Sequence, residues 1–431
     1  MKIQYAVSLF ILLLPFSVRT VQAQTFYDTK PIPVKTVREG GKWTLLRGGK
    51  PYLIHSGGGG DTMIALKKAG GNAIRTWGTE TLIRNLETAQ LLDMTVCAGI
   101  WLGHKEHGFR YDDPKMLAEQ KANVRRDVLK YRNHPNLLVW ALGNEMEGEG
   151  KDDNVWKHIE DLAKMVRELD PNHPVMTVIA EMGENGIKAK KIAELCPSID
   201  ILGVNSYAGV HSLPERLKAA GWTKPYIITE FGPAGWWEVG KTAWGAPIEQ
   251  NSTQKAKTYA ENYRKAVTEQ SGWCLGSFAF LWGDKMEQTP TWFSMFLPET
   301  GEKLGPVDVM SEAWAGKKAE NPVPEITSFD SSLNLKEIES GAKSTATCIA
   351  RSPMGAPLHY RYEIRPEDNK PASTLPGQVA PSAVEGIVPP TSASGSISFT
   401  APTRPGAYRL YVYIYDGKGG AATGNLPFRV K

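Results

Sequence analysis

Cysteine is scarce in this chain. Only Cys97, Cys196, Cys274 and Cys348 occur among 431 residues. None stands in a Cys-x-x-Cys pair and no histidine cluster accompanies them, which speaks against a metal site. Cys97 and Cys274 lie inside apolar runs, where buried thiols are at home, and whether any two cysteines pair stays open. An excess of charge of one sign is also missing: 50 Lys and Arg face 46 Asp and Glu, a net charge of +4. That balance offers neither nucleic acid nor an anionic membrane surface an electrostatic reason to bind. Long hydrophobic runs are missing too, apart from Ala6 to Phe16, which is too short to span a bilayer. Together with Lys2 and the small-residue site Val21-Gln22-Ala23, that run reads as a cleavable secretory signal over residues 1–23. Export to the medium or the periplasm is therefore expected, with a mature chain starting near Gln24. No cysteine follows the run to carry a lipid anchor.

The last absence is local. All 13 tryptophans lie at or before Trp314, and the tail has none. Around Ala319-Glu-Asn-Pro-Val-Pro-Glu325 the composition becomes that of a linker, and beyond it the helical period disappears. The segments 358–364 and 407–415 alternate polar and apolar residues between Pro, Gly and Ser turns, which predicts an all-β, immunoglobulin-like sandwich over 326–431. In the second segment Tyr408, Leu410, Val412 and Ile414 are expected inside and Tyr411, Tyr413 and Tyr415 outside, with Asp416-Gly417 turning the chain after the last strand. This domain is expected to pack on the preceding one as a structural element, with independent glycan binding as the other reading.

Residues 24–318 are richer. After a short lead-in, eight short apolar runs alternate with amphipathic stretches: 52–56, 73–77, 95–101, 137–142, 175–180, 199–205, 226–229 and 277–282. Such runs suit parallel strands buried on both faces. Helices are expected at 61–69, 80–92, 114–131, 154–168 and 252–269, with Asp113-Pro114 as a start signal and Gly70-Gly71 as a stop. Eight strand-then-helix units over roughly 270 residues fit a (β/α)8 TIM barrel, of typical length about 250 residues, better than the rival doubly wound sheet.

Two of these strands end in an acid. Asn136-Leu-Leu-Val-Trp-Ala-Leu-Gly-Asn-Glu145 delivers Asn144 and Glu145, and Pro225-Tyr-Ile-Ile-Thr-Glu230-Phe-Gly delivers Glu230. Strands four and seven stand on nearly opposite walls of a closed barrel, so the two carboxylates can flank one bond at its C-terminal mouth. Glycosidic cleavage needs such a pair, one a proton donor and the other a nucleophile or general base.

The motifs Leu142-Gly-Asn-Glu145 after His134-Pro135, and Ile228-Thr-Glu-Phe-Gly232, resemble the barrel domain of glycoside hydrolase family 2 and its wider clan A. The resemblance covers roughly residues 50 to 300. It implies that Glu145 is the acid/base and Glu230 the nucleophile of a retaining double displacement, and that Asn144 binds the sugar 2-hydroxyl. It further implies that Arg75 orients the nucleophile, that Tyr207 hydrogen-bonds it, and that Trp282 forms the floor of the sugar subsite. Family 2 proteins carry β-domains ahead of the barrel. Here the order is barrel first and one immunoglobulin-like domain after, which is similar to some secreted endo-β-1,3-glucanases.

Other candidate contacts come from aromatic residues on the loops. Trp236, Trp237 and Trp244 follow strand seven, while Trp77, Trp101 and Trp292 end or follow other strands; flat rings suit apolar sugar faces. His104 and His107 are candidate donors to hydroxyls. Glu147 and Glu149 read as solvated turn residues, and Glu181, at the end of strand five, is the rival carboxylate. Asn251-Ser-Thr matches a glycosylation sequon but serves equally as a helix cap. The resulting expectation is an exported, monomeric glycosidase without metal or organic cofactor, acting on a glucan-like chain with β-1,3 linkage favoured. A transglycosylase using the same intermediate, or a non-catalytic glycan-binding protein, are the alternatives.

Overall fold

The computed structural model describes residues 30–59, 62–367, 379–388 and 394–431. The expected signal segment lies outside them. Among the described residues no helix is long and apolar enough to cross a membrane.

The chain opens with a three-stranded antiparallel sheet, β1 (Val34–Glu39), β2 (Lys42–Arg47) and β3 (Lys50–Pro51). Gly40-Gly41 and Gly48-Gly49 make its two-residue turns, all four with positive φ, as a tight hairpin of this hand requires. In sequence this stretch is a short lead-in, yet it closes the floor of the next domain. Val34 and Leu45 pack with Ile54, Ala73, Leu138 and Leu275. Edge groups are tied below the strands, Val34 N–H to Asn172 O and the Trp43 indole to Thr223 O.

Eight strands follow in strict alternation with eight helices. The strands are β4 (Ile54–Gly58), β5 (Ala73–Arg75), β6 (Thr95–Ile100), β7 (Leu137–Leu142), β8 (Val175–Ala180), β9 (Ile201–Asn205), β10 (Tyr226–Phe231) and β11 (Cys274–Ala279). The helices are α1 (Met63–Lys68), α2 (Leu82–Leu91), α3 (Pro114–Tyr131), α4 (Asp153–Leu169), α5 (Ile187–Leu195), α6 (Leu213–Ala219), α7 (Ser252–Ala266) and α8 (Gly305–Ala315). Every neighbouring strand pair is parallel and β11 pairs with β4, so the sheet closes and the doubly wound alternative is excluded. The start and stop signals act as the sequence suggests: Asp113 accepts from the backbone of Lys115 and Met116, and Asn251 forms a capping box with Gln254.

The eighth strand differs in position from the expected 277–282. It begins three residues earlier and ends before Phe280, because Trp273 to Trp282 is apolar nearly throughout and such a run does not mark its own ends. Gly276 belongs inside it for a steric reason: a Cβ there would lie 2.2 Å from the Ile54 carbonyl across the closing seam.

After α8 the chain reaches two facing sheets. One holds β12 (Glu325–Ser331), β14 (Lys343–Arg351) and β16 (Ser396–Thr400). The other holds β13 (Glu337–Ile338), β18 (Ala421–Val430), β17 (Gly406–Tyr415) and β15 (His359–Pro366). Tyr408, Leu410, Val412 and Ile414 face the sandwich core as expected. Two expectations fail. β17 is not the last strand, since β18 follows; Gly424 and Pro427 hid it by breaking the alternation. Nor are Tyr411 and Tyr413 an open face. Both are buried against Leu297 and Leu304 of the barrel domain. Alternation shows which residues share a face, and the neighbouring domain decides whether that face meets water.

Candidate active site

β7 and β10 deliver the two acids at the same end of the barrel. β10 is buried along its whole length and carries Glu230 as its penultimate residue. β7 stops at Leu142, and Gly143 then turns the chain with φ 74°. A Cβ at Gly143 would sit 2.2 Å from Met146 Sδ, so glycine is required for both reasons. Glu145 itself adopts φ 55°. For a residue with a long side chain this conformation costs on the order of 1–2 kcal/mol, a strain met at functional positions.

The two carboxylates have different surroundings. Glu230 accepts from Arg75 Nη1 at 2.8 Å and the Trp77 indole at 2.8 Å on one oxygen, and from the Tyr207 hydroxyl at 2.9 Å on the other. Burial and the nearby Glu230 and Glu145 push the Tyr207 hydroxyl far up, so it remains a donor. Among the described residues Glu145 accepts only from Asn205 Nδ2, at 2.6 Å. Burial, then the charge of Glu230, raises its carboxyl to about 7, against the opposing pull of Asn205 and Arg75. One acid is thus enclosed by donors while the other is poised near neutrality, a division of environment that suits a nucleophile and a proton donor.

Asn144 completes the polar core. Its Oδ1 accepts from Arg75 Nη2 at 2.6 Å and from Asn205 Nδ2 at 3.1 Å. Asn205 therefore bridges Asn144 and Glu145, and its own Oδ1 is held by the Thr229 hydroxyl at 2.7 Å. The sequence reading passed over Asn205, although it ends an apolar strand just as Asn144 follows one.

The aromatic candidates separate. Trp77 spends its N–H on Glu230 and lies under the Arg75 guanidinium at 5.1 Å. Trp237 is 49% exposed and stands edge-on to Tyr207 at 5.6 Å, with Trp236 against it and hydrogen-bonded to Glu287. Trp282 is not the floor of the site. It is 2% exposed, its ring lies between Phe296 and Trp314 behind the strand ends, and it belongs to the core that joins strands to helices. Phe280 takes the floor position, edge-on to Trp77 at 6.1 Å and to Tyr207 at 6.0 Å. The early end of β11 turns Phe280 inward and Trp282 outward, and one aromatic among several in a short run gave no signal of this. Trp292 is a brace, donating to Ala234 O at 3.0 Å. His104 stacks on Trp101 and interacts with the Asn144 carbonyl.

The other carboxylates have different work. Glu147 is not solvated: it is buried and accepts from Lys188 Nζ at 2.7 Å and Ala180 N at 3.0 Å. Glu149 is exposed. Glu181 is tied to Arg216 and Ser206. All four cysteines are free and buried.

Residues 83–289 match the family model described as "Glycosyl hydrolases family 2, TIM barrel domain". The matched span holds Asn144, Glu145, Asn205, Tyr207 and Glu230. Solved structures share the fold. A calcium-binding mutant of Bacteroides uniformis beta-glucuronidase 2 is 13% identical, covering 92% of this chain and 48% of its own, with a TM-score of 0.52. The beta-D-glucuronidase of Dictyoglomus thermophilum is 18% identical over 66% of this chain and 54% of its own, with a TM-score of 0.52. A family 2 beta-galacturonidase from Eisenbergiella tayi, bound to galacturonate, is 16% identical over 66% and 54%, with a TM-score of 0.51. The chain spans about half the length of these proteins.

Proposed function

We propose that this chain, whose barrel is of the glycoside hydrolase family 2 type, is an exported retaining β-glycosidase that cleaves a neutral, glucan-like chain. The observation that carries the reading is the unequal pair: Glu230 inside a ring of three donors, and Glu145 beside it with its carboxyl raised to about 7. Glu230 attacks the anomeric carbon while protonated Glu145 gives its proton to the leaving oxygen. A glycosyl ester on Glu230 results. Glu145, now a carboxylate, takes a proton from water, which attacks the ester and releases the sugar with its original configuration. Asn144, oriented by Arg75 and Asn205, offers its amide to the 2-hydroxyl, and Phe280 and Trp237 present ring surface to the pyranose.

The solved neighbours named above act on or bind uronic acids, and the charge of this site argues for a neutral sugar. Glu145, Glu230 and Glu287 stand against only Arg75 and Lys285 among the contacts described. Arg75 is engaged by Glu230 and Asn144, and Lys285, above the Phe280 ring at 5.5 Å, is paired with Glu287 at 2.6 Å. The carboxylate of a uronic acid would enter without a free cation among these groups. The preference for β-1,3 linkage rests on the resemblance in sequence to some secreted endo-β-1,3-glucanases.

The test is hydrolysis of linear β-1,3-, β-1,4- and β-1,6-linked glucans and of aryl β-glucoside and β-glucuronide, with product configuration followed by NMR. Retention and a β-1,3-glucan preference are expected. Inversion would overturn the mechanism, and a glucuronide preference would overturn the neutral substrate. Longer oligomers at high substrate would convert the reading to a transglycosylase, and binding without turnover would leave a glycan-binding protein.

A further inference from the structure

Beside the catalytic residues, between the loops after β5 and β6 and the face of α3, lies an open cleft of about 570 Å³. Trp101, His104 and His107, candidate contacts in the sequence, line it. Its wall is Trp101, the residue directly after β6, which is 44% exposed. The position is continuous with the site, because Ile100 pairs with Leu142 and accepts from Gly143 N–H at 2.9 Å. Trp101 is therefore level with the residue before Asn144.

The cleft is built rather than incidental. His104 stacks flat behind Trp101, centroids 4.7 Å apart and planes 16° from parallel. That brace fixes the plane of an indole that stays 44% exposed. Gln120 lines the same wall, and its Oε1 accepts from Gly103 N at 2.7 Å, which fixes the loop. Burial, and then His107, lowers the His104 pKa and keeps the ring neutral near pH 7. The exposed Glu119 and Asn123 of α3 border the opening. A flat aromatic wall with hydrogen-bonding groups at its rim matches a pyranose, whose faces are apolar and whose edge carries hydroxyls.

We infer that the Trp101 cleft is a second sugar-binding subsite, taking a pyranose of the substrate chain remote from the bond that is cut. This rests on the glycosidase reading and deepens it: the substrate is an oligosaccharide or polysaccharide rather than a small β-glycoside. Indole stacking outside the catalytic pocket contributes binding only when the chain is long enough to reach it.

The test compares a β-1,3-linked glucose hexamer with an aryl β-glucoside in wild type and in Trp101→Ala. The ratio of kcat/KM for hexamer over aryl glucoside is expected to fall about ten-fold, the equivalent of one stacked ring, and Trp101→Tyr is expected to restore most of it. A structural role lowers both substrates together, so an unchanged ratio would overturn the inference. Asn123→Trp, at an exposed helical position, fills the cleft without touching the core and is expected to lower the same ratio; a normal ratio there counts equally against the subsite. Should wild type hydrolyse neither probe, the glycosidase reading fails by itself, and calorimetry with the hexamer decides the subsite. Weaker binding by Trp101→Ala would support it, and equal binding would sink it.

Discussion

The two walls of the site are built in opposite ways. On the β10 and β11 side Glu230 is held by three donors, and the wall is backed by the sandwich. The loop after β11 carries Phe293, which packs on Tyr207 at 5.2 Å and on Phe280 at 5.4 Å. Two residues earlier, Thr291 is held by Glu249, a buried carboxylate that also binds Thr289, Lys255 and Asn425. Asn425 accepts from Arg409 of β17, and Arg409 also reaches Pro247 O. A line of buried contacts thus runs from the sandwich to the hydroxyl that binds Glu230. On the β6 side the wall is a loop beside an open cleft. The closed wall fixes the atoms that must not move during bond exchange, and the open one leaves room for the part of the substrate that differs between glycosides.

The largest expected effect lies on the closed wall. Glu230→Gln keeps the shape of the side chain but removes the nucleophilic oxygen, and turnover should fall on the order of 10⁴-fold or more in steady-state assays. Wild-type rates would break the comparison at its centre.

Glu145→Gln should lower kcat by roughly 10²- to 10⁴-fold on glycosides with poor leaving groups and by less on activated aryl glycosides, which need little proton donation. The pH profile gives the sign. Glu145 must be protonated for the first step and its carboxyl is raised to about 7, so wild-type kcat/KM should decline as pH rises through that region, and Glu145→Gln should lose that limb. A basic limb that persists in the variant would assign it to another group.

Arg409→Met tests whether the sandwich supports the closed wall. It leaves Glu367 without its buried cation and Glu249 with Lys255 alone, which should cost roughly 3–5 kcal/mol in denaturant unfolding and lower kcat/KM through loss of the loop. Burial alone would raise the Glu249 carboxyl, but Lys255 and Arg409 outweigh it and hold it below the ordinary value. A depressed carboxylate contributes stability above the unfolded-state pKa and loses it as pH falls through the folded one. Wild type should therefore lose interface stability below about pH 4, with the steepest loss toward lower pH. Full stability and activity in Arg409→Met would show that the two domains merely touch.

The smallest effect is expected at Glu181→Gln. Its partner Arg216 and the carboxylate itself are each about one third exposed, and such a pair is worth at most about 1 kcal/mol. Thermal unfolding and turnover should stay close to wild type. A loss comparable with that at Glu145 would return Glu181 to the list of catalytic candidates.

Much of the barrel was legible because β7 and β8 are apolar runs, broken only by Thr177, that stop at Asn136 and Gly143 and at Pro174 and Glu181, and the expected spans coincide with the observed ones. β11 was misplaced for the converse reason: aromatic residues continue past its end, and Phe280 and Trp282 look alike in sequence although one faces the acids and the other the helices. Asn205 was missed because its function is to join two other side chains, and a bridge has no local pattern. Glu147 looked solvated in a Gly-rich turn, and only the approach of Lys188 from α5 made it a buried ion pair.

The order of residues by itself determined the alternation of strands and helices, the change to a β-rich tail, and the presence of an acid at the end of two buried strands. These follow from local periodicity and from the reach of neighbouring residues. The tertiary structure decided which acid is ringed by donors and which is left near neutrality, which aromatic forms the floor, and which tyrosines face another domain rather than water. Those outcomes depend on desolvation and on contacts between segments far apart in the chain, and both exist only once the barrel has closed and the sandwich has packed against it.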